Sequence, residues 1–340
     1  MTPILTIAIP TYNRAPHLRH LLAVLAEELR GVSDVELLIS DNASTDDTLA
    51  VIREYQSRLN IEVISNQTNL GAEPNVAQVF ERARTEYVWV FGDDDAPKVG
   101  AVAALLGILK RESPDLVAIP SKWLPDIRIF ADEPIEDDHY LILDSFSFAR
   151  RVNWWVSFLS GVVVNKQRFY EKFDHDYVMS CIGTNLVHLS WVLGLLDNGN
   201  HFIQVDRQWV LATADNTGGY RVLETFAKNF SESARALCVQ KPALARQIMT
   251  RVIVDHLPWK VWDMRFARDE RFTPEDHVVV LRKGLGHYPG YWLFLRPIAE
   301  MPRVVASAAL LAARVFAAVR RRWGWAIDRL AGAARRPAAR

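Results

Sequence analysis

Short apolar runs alternate with helix-spaced apolar residues through the first third of the chain, and this alternation restricts it to a layered α/β architecture. Leu5 to Ile9 is apolar and β-branched and closes at Pro10, after which Leu18, Leu21, Leu22, Leu25 and Leu29 recur on one helical face. Val35 to Ile39 is the next run, and Ser44 followed by Asp47 has the pattern of a capping box for a helix carrying Leu49, Ile52 and Leu59. Ile61 to Ile64 predicts a third strand, with Val76, Val79, Phe80 and Ala83 marking the helix behind it. Tyr87 to Phe91 is a fourth strand, Val102, Leu105, Leu106 and Leu109 a further helix, and Leu116 to Ile119 one more strand. Repeated units of this kind predict a mainly parallel sheet with helices on both faces.

The fourth strand ends in Asp93-Asp94-Asp95. Three adjacent carboxylates repel one another and resist dehydration unless a cation sits among them. Hard oxygen donors suit Mg²⁺ or Mn²⁺, which usually share their shell with substrate phosphates. A solvated acidic loop is the plain alternative. Position favours the ion, because sheets of this kind bind ligands at the carboxyl ends of their strands.

With 340 residues, half of them hydrophobic, the chain can bury a large core. Cys181 and Cys238 make no disulfide framework and read as reduced thiols. The amino terminus lacks a basic segment and runs straight into the first strand, so no secretory signal is expected and the cytoplasm is the expected location. A formal net charge of zero hides an asymmetry: from Arg303 onward stand Arg314, Arg320, Arg321, Arg322, Arg329, Arg335, Arg336 and Arg340 against one acid, Asp328. The apolar stretch Val304 to Ala313 among them is too short to span a bilayer, which needs about 20 residues. A helix rich in Arg and Trp suits the anionic inner face of the inner membrane; alternatively it packs on the domain and ends in a loose basic tail. No recognition motif accompanies the charge, so nucleic acid is not an expected partner.

Four motifs carry a family resemblance. Thr11-Tyr12-Asn13-Arg14, Ser40-Asp41-Asn42-Ala43-Ser44-Thr45-Asp46, Asn69-Leu70-Gly71 and Phe91-Gly92-Asp93-Asp94-Asp95, in this order after successive strands, resemble the signatures of family 2 glycosyltransferases. Gly71-Ala72-Glu73-Pro74-Asn75 and Gly183-Thr184-Asn185-Leu186-Val187-His188 are most similar to the abequosyltransferase-like branch that builds bacterial O-antigens. The resemblance implies a GT-A fold, the nucleotide-diphospho-sugar transferase architecture, over residues 1–220. Residues 1–120 would be the nucleotide-sugar-binding half and 121–220 the acceptor half. A helical extension over 221–302 and a basic amphipathic helix and tail over 303–340 are expected to follow.

The same resemblance implies a metal-dependent, inverting transferase using Mn²⁺ or Mg²⁺. Pro10, Thr11 and Tyr12 would wall the base, and Asp41 would accept a hydrogen bond from a ring N–H, which favours UDP, dTDP or GDP over CDP. Asn13, Arg14, Asn42, Asn69, Gly71, Asn75 and Asp94 complete the implied nucleotide-sugar site, with Asp93 on the ribose or the metal's water shell and Asp95 on the metal. The implied acceptor is a saccharide, including one carried on a polyprenyl diphosphate. Duller readings stand beside these: Asn13 and Ser44 as helix caps, Asp46 and Asp47 as first-turn acids, Asn69 and Gly71 as a turn.

An inverting transfer needs a general base within reach of the acceptor hydroxyl. The family's acidic pair would fall at Thr184-Asn185, which has no carboxylate, leaving His188 and Asp176 as candidates. Trp154 and Trp155 are read either as a stacking platform for an acceptor sugar or as core. Two other functions fit the residues, a sugar nucleotidyltransferase and a non-catalytic sugar-nucleotide-binding scaffold. The first lacks a glycine-rich basic loop for a triphosphate; the second is favoured by the missing acidic pair.

Overall fold

A computed structural model describes residues 2–129, 133–214, 221–267, 273, 275–330 and 335–337. The strands are β1 (Leu5–Thr11), β2 (Val35–Asp41), β3 (Ile61–Ser65), β4 (Tyr87–Val90), β5 (Ala96–Pro97), β6 (Leu116–Ala118), β7 (Ser121–Leu124), β8 (His139–Leu143), β9 (Val162–Asn165), β10 (Phe202–Val205), β11 (Val210–Thr213) and β12 (Arg335–Pro337). Helices α1 (Ala15–Glu28), α2 (Thr48–Tyr55), α3 (Ala72–Arg82), α4 (Ala101–Glu112) and α5 (Ser145–Arg151) connect them in the first half. The large sheet has the order β12-β8-β10-β6-β9-β4-β1-β2-β3, and β5-β11-β7 form a second, smaller sheet.

The pairings β1 with β2, β1 with β4, β2 with β3 and β6 with β10 are parallel, as the alternation predicts. Both faces are buried. Leu5, Ile7 and Ile9 of β1 pack with Leu18, Leu21 and Leu22 of α1, while Ala8 joins Val79 and Phe80 of α3 on the other side. A strand buried on both faces has no polar side to show, which is why it reads as a continuous apolar run. The parallel order is interrupted by β9, antiparallel between β4 and β6, and by β8, antiparallel between β10 and β12.

From residue 221 the described chain is built mainly of helices, which extend the core on the face that holds α3. The last, Arg303–Leu330, buries Ala306, Leu310, Ala313 and Ala317 as one stripe and packs against α5. Val304, Leu311, Val315 and Trp323 face outward and are exposed. Among the described residues no helix is long and apolar enough to cross a membrane. The basic tail is tied down in part, because Arg335–Pro337 pairs antiparallel with β8 and Arg336 bonds Glu112 at 3.3 Å. Arg340 and the side chains of Trp325, Asp328, Arg329 and Arg335 lie outside the described residues.

Candidate active site

The parallel register sets Thr11 of β1 opposite Asp41 of β2, and β4 delivers the three aspartates beside them. Thr11 Oγ1 donates to Asp93 Oδ2 at 2.6 Å. Ser160 Oγ donates to Asp95 Oδ2 at 2.5 Å and accepts the Gly92 N–H at 2.8 Å, so one hydroxyl pins the turn and its carboxylate together. The Thr213 N–H reaches Asp95 Oδ1 at 3.3 Å, and its hydroxyl bonds the Asp94 carbonyl at 2.6 Å. Gly92 is required by crowding: a Cβ there would stand 2.9 Å from Asp95 Oδ2 and 3.1 Å from Asp94 Oδ1.

Asp93, Asp94 and Asp95 are only 9 %, 8 % and 5 % exposed, which rules out the solvated-loop reading. Burial, followed by repulsion from Asp94, pushes the Asp93 carboxyl up to about 7, against the opposing pull of the Thr11 bond and the Arg14 charge. Asp95 is driven well above the usual carboxylate range by the same burial and the same neighbour. A divalent cation fits this donor set, since it would relieve the repulsion that burial magnifies. Among the described residues no three acidic, His or Cys side chains converge into an all-protein cage. Mg²⁺-type sites need none, because one or two carboxylates with substrate phosphates complete the shell.

The neighbouring loops are shaped by polar contacts that the sequence only partly announces. Asn13 and Ala43 adopt left-handed φ values of 52° and 63°. Ser44 Oγ accepts from the Asn13 N–H at 2.8 Å, and Asn13 Oδ1 accepts from the Thr45 N–H at 2.7 Å. The predicted Ser44–Asp47 capping box does not form, because Ser44 is taken by Asn13. Asp46 caps instead, accepting from the Thr48 N–H at 3.0 Å and from the Ala15 N–H at 3.1 Å, which joins the starts of α1 and α2. Both Asp41 oxygens accept from the Ser44 N–H, at 3.2 and 3.3 Å. Pro10 precedes Thr11 at the strand end, and Tyr12, 41 % exposed, stands at the rim.

Asn42 and Asn75, read as ligand-binding, are buried and spent on the protein itself. Asn42 donates to Asn69 Oδ1 at 2.8 Å and to the Gly71 carbonyl at 3.1 Å, and Asn75 exchanges hydrogen bonds with Ser40. Gly71, at φ 92°, supplies the positive φ of the turn that leads into α3. These amides tie the end of β2 and the loop after β3 to the start of α3.

Beside Asp94 and Asp95 opens a cleft of about 430 Å³ walled by Trp123, Trp154, Trp155, Phe158 and Phe226, with His256 and Lys260 from the helical half. Trp154 and Trp155 stack at 4.0 Å, and Trp155 is 41 % exposed, so the pair forms a platform on the cleft wall. Neither base candidate reaches it. His188 is buried with Nε2 on the Ser157 carbonyl at 2.9 Å, and burial pulls it down to about 4. The helical spacing that set it on the same face as Thr184 fails because Gly183 and Asn185 are left-handed, at φ 97° and 61°, and the helix begins only at Leu189. Asp176 lies exposed in the first turn of the short helix His175–Met179, away from the cleft walls.

Sequence reasoning missed Ser160, Thr213, His256 and Glu73. Glu73 of α3 accepts from the Gly183 N–H at 2.7 Å, the Thr184 hydroxyl at 3.2 Å and the Val187 N–H at 3.0 Å, bringing a carboxylate to the loop whose own sequence has none. Its place in Gly71-Ala72-Glu73-Pro74-Asn75 was the available signal.

Residues 6–155 match the family model described as glycosyl transferase family 2. The abequosyltransferase RfbV of Salmonella typhimurium is 28 % identical over 233 residues, covering 63 % of this chain and 67 % of that protein. In three dimensions the chain is similar to TarS 1–349 of Staphylococcus aureus in complex with UDP-GlcNAc, at a TM-score of 0.59 and 17 % identity, covering 94 % of this chain and 92 % of the other. It is also similar to the mannosyltransferase PcManGT of Pyrobaculum calidifontis in complex with GDP-Man and Mn²⁺, at a TM-score of 0.53 and 14 % identity, covering 95 % and 88 %. The chain therefore carries a family 2 glycosyltransferase domain over residues 6–155, on a GT-A fold, and is a glycosyltransferase.

Proposed function

We propose that this glycosyltransferase is metal-dependent and inverting, and moves a sugar from a nucleoside diphosphate sugar to a lipid-linked saccharide in bacterial surface-polysaccharide assembly. The observation that carries the reading is the buried Asp93-Asp94-Asp95 turn at the carboxyl end of β4, held by Thr11, Ser160 and Thr213. Asp95 would hold Mn²⁺ or Mg²⁺, with Asp93 on the ion's water shell or the ribose. Charge accumulating on the departing diphosphate is neutralised by that ion when it is bound. Pro10, Thr11 and Tyr12 border the base, and Asp41 accepts from its ring N–H, so UDP, dTDP and GDP donors are favoured over CDP. The UDP-GlcNAc and GDP-Man complexes of the two similar structures support this donor class.

The acceptor sugar would stack on Trp154 and Trp155 beside Asp94. The exposed apolar face of Arg303–Leu330 with its arginines would rest on an anionic inner-membrane surface, where a lipid-linked acceptor is found. The similarity to an abequosyltransferase supports the polysaccharide assignment. The test is release of nucleoside diphosphate from a panel of sugar donors with Mn²⁺ or with EDTA. Turnover that needs the metal and falls at least about 100-fold in Asp95→Asn is expected, in keeping with the several kcal/mol a charge-stabilising group supplies. Equal turnover by the variant would remove the assignment.

A further inference from the structure

A second cavity, of about 400 Å³, lies between α5, the helix Pro242–Arg251 and the carboxy-terminal helix. Arg150, Arg151, Arg251, Arg320 and Arg321 line it, with Asp206 as the one acid among the described wall residues. Asp255 behind it bonds Arg251 at 2.5 Å and stands 3.9 Å from Arg321. Among the described residues, five guanidinium groups stand against two carboxylates, which makes the cavity positive. Arg251 is nine-tenths buried and its Nε has no partner. Burial pulls its pKa down, and repulsion from Arg321 and Arg320 adds to that. The wall is closely built: a Cβ on Gly324 would come within 2.9 Å of Arg150 Cδ, so the carboxy-terminal helix is seated against α5 through a glycine.

A third cavity, of about 360 Å³, shares Arg251 and Arg321 with this one and Trp154 and Trp155 with the cleft beside Asp95. The third cavity therefore adjoins both the arginine cavity and the acidic cleft, sharing wall residues with each. Planar guanidinium groups match phosphate oxygens in pairs, so a wall of several selects a compact polyanion. Trp323 lines the same cavity and is 69 % exposed, giving an apolar exit to the surface.

We propose that the cavity of Arg150, Arg151, Arg251, Arg320 and Arg321 is a diphosphate-binding site that anchors the diphosphate of the lipid-linked acceptor, its saccharide reaching along the Trp154–Trp155 wall to the cleft at Asp95. The assignment rests on the acceptor class proposed above. The shared chemistry is a phosphate-bearing lipid, and the probes distinguish a diphosphate from a phospholipid headgroup.

Calorimetric titration of the full chain with inorganic pyrophosphate in EDTA tests it, because without metal the aspartate turn has no cation to hold an anion, whereas the arginine cavity has its own positive charge. Binding by the wild type, weakened at least tenfold in Arg320→Gln/Arg321→Gln and in Arg151→Gln from the opposite wall, and unchanged in Asp95→Asn, is the expected result. Farnesyl diphosphate should bind at least as tightly as pyrophosphate and be lost in the same variants. Melting curves of each variant separate lost binding from lost fold. No pyrophosphate binding by the wild type, or a double variant that loses phosphatidylglycerol vesicles yet keeps pyrophosphate, overturns the proposal. Donor turnover by the wild type, measured on the same preparation, fails only if the function above is wrong, so the two failures are told apart.

Discussion

At the scale of single residues, the aspartate turn is a local instability that the fold maintains. Asp93 has its carboxyl raised from 3.8 to about 7, so the folded chain still holds a proton that the unfolded chain has released. Its stabilising contribution is complete below the unfolded value and is lost as the pH climbs through the folded one. In EDTA, Asp93→Asn should therefore melt above the wild type by a margin that widens between pH 5 and pH 8; a constant margin would contradict the account. His256 has the opposite sign. It lies among Trp154 and Phe226 and is pulled down from 6.5 to about 3, so it stays neutral while unfolded chains protonate, and stability falls as the pH drops from 6.5. Ser160→Ala removes one hydrogen bond from Asp95 and should raise the Mn²⁺ concentration for half-maximal turnover by roughly tenfold, the equivalent of a bond worth about 1.4 kcal/mol. The triplet itself was legible because an apolar run leads straight into it. Its partners were not: Ser160 and Thr213 lie 65 and 118 positions beyond Asp95, and nothing local in the sequence ties them to it.

At the scale of elements, the parallel half could be read from alternation alone, since each run buried on both faces announces itself. β9 could not, because the four residues Val162–Asn165 look the same whichever way the strand runs. The loop after Gly183 escaped for a different reason. Its shape depends on left-handed Gly183 and Asn185 and on a carboxylate from α3, so helical spacing misplaced His188. Glu73→Ala strips three acceptor contacts from that loop and should cost about 1–3 kcal/mol. Hydrogen exchange would rise at the amides of Gly183 and Val187, the two that Glu73 receives. Unchanged protection there would mean the loop is held by its backbone alone.

At the scale of the whole molecule, an acidic cleft and a basic cavity in the helical half lie on either side of a wall that carries Trp154 and Trp155. The basic character of the carboxy-terminal helix was visible in the sequence, but the cavity it completes was not, because its other wall comes from α5 and from Arg251. On the outward face, Leu311→Glu with Val315→Glu leaves the buried stripe intact and should abolish sedimentation with phosphatidylglycerol vesicles without shifting the melting temperature. Retained sedimentation would detach that helix from the membrane role. The most direct measurement of the central claim is the melting temperature of wild type and Asp95→Asn with UDP, dTDP, GDP or CDP, each with and without Mn²⁺. A ligand that binds the native state alone raises it. A rise with UDP, dTDP or GDP that needs Mn²⁺ and disappears in Asp95→Asn is predicted, and an equal rise in the variant would contradict the account.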